Sequence, residues 1–134
     1  MTANEYQVLA ARTINKNLTP LGATQHALFG MASEVGELHG IFQKKLQHGN
    51  DLMLSSDTVN VMYYDGTVKQ IENQYVTEHA KKEVGDILWM IAEFCTVNDW
   101  DLEDIMQMNI DKLKARYPDG FSVEKSLHRK EGDI

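Results

Sequence analysis

The chain has 134 residues, 43% apolar and 25% charged, with a formal net charge of −7 and one cysteine. That length and balance fit one globular domain with its own core, spanning residues 1–134. The charge opposes a broad basic face for a nucleic-acid polymer, no run of about 18 apolar residues is present to cross a membrane, and the lone Cys95 excludes an intrachain disulfide framework.

The opening stretch MTANEYQVLAARTINKN has no basic segment followed by an apolar one, so no secretory leader is expected and the cytoplasm is the expected compartment. Residues 2–16 predict a helix, with Thr2 and Glu5 spaced as a capping box and Tyr6, Leu9, Ala10 and Ile14 at helical intervals. Residues 17–24 read as a linker, because Pro20 and Gly22 interrupt a helix, and Thr19 or Thr24 is placed to cap the next one. From 24 to 47, Leu28, Met31, Val35, Leu38, Phe42 and Leu46 step by three and four and define one face of an amphipathic helix, which HGND at 48–51 ends. Over 57–72, Val59, Val61 and Tyr63 and then Val68 and Ile71 flank Asp65 and Gly66, the signature of a β-hairpin inserted between helices. The helical period returns from 74 to 97 with Ala80, Val84, Ile87 or Leu88, Ile91, and Phe94 or Cys95, the last expected as a buried thiol. Asn98, Asp99 or Asp101 caps a helix over 101–116 carrying Leu102, Ile105, Met106, Ile110 and Leu113, and Pro118 and Gly120 stop it. The polar tail, 122–134, is expected to be frayed or packed on a partner chain. The fold class is thus all-α: four to five helices in a bundle with a small inserted hairpin.

Two short stretches carry the chemistry. EVGE at 34–37 and EVGD at 83–86 each place two acids three residues apart, on one helix face beside an apolar stripe. Antiparallel packing of the two helices brings Glu34, Glu37, Glu83 and Asp86 together. Such carboxylates repel and hold protons unless a cation lies among them, and an all-oxygen donor set suits Mg²⁺ or Mn²⁺. Gly36 and Gly85 each cost a helix interior about 1 kcal/mol relative to Ala, which points to close helix approach or to room for a ligand. A di-iron bundle would want Glu-x-x-His on two helices. His39, His48 and His79 are each preceded three positions earlier by a residue other than Glu. On the last helix Asn109, Lys112 and Arg116 share a face, followed by Tyr117, and Lys44 and Lys45 lie one to two turns beyond the first acid pair. A divalent cation with Lys, Arg and Asn beside it is the equipment for holding a polyphosphate.

The two acid motifs, in this order and followed by NIDKLKARYPDGF at 109–121, resemble the MazG-like, all-α nucleoside triphosphate pyrophosphohydrolases over roughly residues 5–125. The resemblance implies a helical core that assembles as a homodimer or homotetramer, and Mg²⁺-dependent hydrolysis of an NTP or dNTP to the monophosphate and pyrophosphate. It implies Glu34, Glu37, Glu83 and Asp86 as metal ligands and Asn109, Lys112, Arg116 and Tyr117 as substrate contacts. For the reaction itself Glu34 or Glu37 is the expected group orienting water, and Lys44 and Lys45 are expected to add to the phosphate contacts. The segment between the acid motifs is longer than the family pattern, and the expected hairpin fills it. The competing readings are a phosphoribosyl-ATP pyrophosphohydrolase and a non-catalytic module that senses nucleotide or metal.

Overall fold

A computed structural model describes residues 1–47, 58–62, 65–72 and 74–128. The turn expected at 48–51, Tyr63 of the expected hairpin and residues 129–134 of the tail lie outside these. The chain is built mainly of helices: α1 (Ala3–Ala10) with a 3₁₀ turn over Ala11–Thr13, α2 (Pro20–Gln47), α3 (Gln74–Val97), α4 (Leu102–Arg116) and α5 (Val123–Leu127). Between α2 and α3, β1 (Thr58–Met62) pairs antiparallel with β2 (Val68–Glu72), Asn60 opposite Gln70. At the connection Gly66 has φ 81°, a left-handed conformation, and the Asp65 carboxylate accepts from the Thr67 amide at 2.9 Å and its hydroxyl at 2.7 Å.

The helix ends follow local chemistry. Thr2 and Glu5 close a reciprocal capping box on α1. The linker expected at 17–24 is shorter than anticipated: α2 starts at Pro20, whose missing amide hydrogen is harmless in the first turn, and the Thr19 hydroxyl accepts from the Gly22 amide at 3.1 Å. Thr24 instead donates its hydroxyl to the Pro20 carbonyl at 3.0 Å. Asp99, with φ 57°, terminates α3 as Trp100 N–H turns back to the Cys95 carbonyl at 2.9 Å. The tail departs from expectation as well, because Ser122 accepts from the Lys125 amide and starts the short helix α5.

The main packing is α2 on α3, with α1 laid across α3 and α4 against α1. Gln7 is the buried joint of that second layer. Its Nε2 donates to the Trp100 carbonyl at 2.8 Å and to the Thr96 hydroxyl at 3.2 Å, while its Oε1 accepts from the Leu102 amide at 2.8 Å and so caps α4. Asn4 and Glu103 exchange two further bonds, each 3.1 Å, between the starts of α1 and α4. The Asn4 amide, and then the Thr2 side chain, hold the Glu103 carboxyl below its ordinary value. Trp89 Nε1 ties α3 to the Thr13 hydroxyl at 2.8 Å. Cys95 is buried, as expected, and burial pushes its thiol up.

A candidate metal centre between α2 and α3

Three contacts fix how α2 and α3 run. His26 meets Glu93, Gly30 meets Met90, and Glu34 meets Glu83 and Asp86. Positions rise on one helix as they fall on the other, so the pair is antiparallel. The two helices come close at Gly30, where an added Cβ would run into the Met90 side chain. Gly36 and Gly85 have nothing within 4 Å of a built Cβ. The close-approach reading of those two glycines is therefore overturned in this chain, and the open space beside the acids is what they leave.

The cluster itself lies one turn further along the seam. Glu34, Glu83 and Asp86 each offer a carboxylate oxygen, and these oxygens all lie within 4.8 Å of one another. Glu83 is buried, Glu34 partly so, and Asp86 is exposed. Glu37 is exposed and stands outside that trio, but close enough to act on it. Burial foremost, then the charges of Glu37, Asp86 and Glu83, push the Glu34 carboxyl above its ordinary range. From α1, Tyr6 looks toward the same cluster: partial burial, then the Asp86 charge, push its phenol up. His79 Nε2 sits 2.9 Å from Glu83 Oε1. The donor set is hard oxygen throughout, crowded and like-charged, which is the chemistry that a small divalent cation of the Mg²⁺ or Mn²⁺ type relieves.

The remaining expected site residues are elsewhere. Lys44 is exposed on α2, and the side chain of Lys45 lies outside the described residues. Asn109 and Lys112 are exposed on α4, and among the described residues no hydrogen bond or salt bridge joins them to the four acids. The Arg116 guanidinium lies 6.0 Å from the centre of the Tyr117 ring, which itself packs on Phe121 at 5.7 Å. α4, which carries these residues, lies against α1. Sequence reading missed His79 and Tyr6. His79 carries a usable signal, since it precedes Glu83 by four and shares its helix face. Tyr6 reaches the cluster through packing between α1 and α3, which no spacing encodes.

Fold and site together define an all-α protein whose two longest helices close an acidic cluster of metal-ligating type. The chain belongs to the MazG nucleotide pyrophosphohydrolase domain family, whose model matches residues 24–121. The matched span holds both acid motifs and all of α4. No match was found among curated proteins or among solved structures. Among the described residues no helix is long and apolar enough to cross a membrane.

Proposed function

We propose that this protein is a Mg²⁺-dependent pyrophosphohydrolase, cytoplasmic, that converts an NTP or dNTP to its monophosphate and pyrophosphate, with Mn²⁺ able to replace Mg²⁺. The observation that carries the reading is the convergence of Glu34, Glu83 and Asp86 in a chain of this family. Those three acids, with Glu37 beside Glu34, would hold the cation, which when bound neutralises and polarises phosphate oxygens. Glu34 or Glu37 accepts a hydrogen bond from the attacking water and points its lone pair at the α-phosphorus. Pyrophosphate then leaves in line, and Lys112 and Arg116 offset the charge that moves onto it. Asn109 and Tyr117 complete the substrate contacts on that face, and Lys44 and Lys45 add positive charge at its edge. In this reading a second copy of the chain brings an α4 face to the acid cluster, so the working form is a homo-oligomer.

Product analysis tests it. The protein is incubated with a panel of NTPs and dNTPs, with Mg²⁺ or with chelator, and the products are separated. Monophosphate and pyrophosphate, formed only with the cation and lost in Glu37→Gln, are expected. Diphosphate with orthophosphate would move the attack to another phosphorus. Saturable nucleotide binding without turnover would make the protein a sensing module.

A further inference from the structure

Of the three clustered acids, Glu83 is the most buried, at 7% exposed, and among the described residues His79 is its one partner. An ionised carboxylate only accepts hydrogen bonds, so at 2.9 Å the imidazole Nε2–H is the donor and Glu83 Oε1 the acceptor. The two residues are four apart on α3, so the helix itself holds the imidazole one turn before the acid. His79 is not part of the trio whose ligand atoms lie within 4.8 Å of one another. It meets the cluster at Glu83 Oε1.

We propose that His79 is a positioning residue for the cation. By holding Oε1 it fixes the rotation of the Glu83 carboxylate and turns the free oxygen toward Glu34 and Asp86. Without that anchor, repulsion from two neighbouring acids swings the Glu83 carboxylate away from them. An exposed i,i+4 pair of this kind contributes little in water. Here the acceptor is buried and crowded by like charges, and partners of metal ligands typically set affinity by about 10–100-fold. The inference rests on the cation-dependent function proposed above.

The test is Mn²⁺ binding to the full chain, followed by electron paramagnetic resonance of the free ion, with His79→Ala and His79→Gln. The parent titration is read first: a parent that binds no Mn²⁺ overturns the cation site, and this inference with it. Given a binding parent, His79→Ala is expected to weaken Mn²⁺ about 10–100-fold. The ion concentration for half-maximal hydrolysis rises by the same factor, and the rate at saturating ion falls far less. His79→Gln, whose amide also donates to Oε1, recovers most of the affinity. Parental affinity in His79→Ala would overturn the inference, as would equal losses in both variants. A nitrogen coupling to bound Mn²⁺ in the parent spectrum would also overturn it, by making His79 a ligand. Thermal melts of both variants separate loss of folding from loss of binding.

Discussion

Glu34 is partly buried in the α2–α3 seam, and its burial together with Glu37, Asp86 and Glu83 raises its carboxyl above the ordinary 4.5. A carboxyl whose folded value is raised binds its proton more tightly in the native state. Its contribution to stability is therefore complete below the unfolded value and is lost as pH rises through the folded one. In chelator, Glu34→Gln should melt at or above the parent by a few degrees at pH 7–8, on the order of 3 °C. The gap should close as pH falls toward 4.5, where the parent regains its proton. The same variant should lose at least about 100-fold in hydrolysis, because an amide neither ligates a hard cation as well nor draws a proton from water. Scanning calorimetry across pH, in chelator and in Mg²⁺, reads the first effect. A Glu34→Gln protein less stable than the parent at pH 8 without cation would show that these acids do not strain the fold. The identity of the acids was legible from spacing alone, since a three-residue step on a helix fixes a shared face. Their inequality was not, because which of them is buried depends on how α1 and α3 pack.

Among the elements, the long helices were legible because their signals are local: apolar steps of three and four, and Pro118 after Arg116. Asp101 stands at the N-cap of α4 as one of the expected candidates, but its side chain makes no capping bond and Gln7 from α1 caps the helix instead. Pro20 and Gly22 misled because each is permitted in a first turn, where few amides have partners to lose. The inward faces were also misjudged. Leu28, Val35 and Val84, expected to point at the core, are exposed, and of the alternatives Ile87 or Leu88 it is Leu88 that is exposed. Ala80 is buried as expected, and with it Ala23, Ala27 and Ala92, which the pattern did not single out. Small side chains let α2 and α3 approach, and a hydrophobic period does not say which helix meets which stripe. The fully buried Glu93, paired with the half-exposed His26 at 3.0 Å, had no sequence signal at all. Gly30 is one point of that approach. Gly30→Ala gains helix propensity of about 1 kcal/mol but drives a Cβ into Met90, a buried side chain, where overpacking costs about 1–3 kcal/mol. The expected net is a loss of about 1 kcal/mol in urea denaturation. Met90→Ala in the same chain should reverse the steric part, giving a coupling of about 1 kcal/mol or more between the two sites. Strictly additive effects would mean that the two helices separate freely at this point.

At the scale of the molecule, the described core is small for so many apolar residues. The buried apolar set is four alanines with Met90, Cys95 and Leu102. Outside it, Leu28 and Phe29 on α2, Leu88 on α3, and Met106 and Met108 on α4 are all exposed. Exposed apolar surface on this scale is characteristic of faces that meet another chain. In the proposed reading a second copy also brings its α4 face to the acid cluster, which asks for the same assembly. Light scattering behind size exclusion should therefore give two or four times the chain mass, with a melting temperature that rises with protein concentration. Placing lysine at Phe29 and Leu88 together should yield monomers, remove the concentration dependence, and lower hydrolysis although every acid is intact. The Mn²⁺ site, built within one chain from Glu34, Glu83 and Asp86, should survive in those monomers even as turnover falls. A monomeric parent with full activity would refute the shared site. A double variant that loses Mn²⁺ along with assembly would instead place part of the cation site on the second copy.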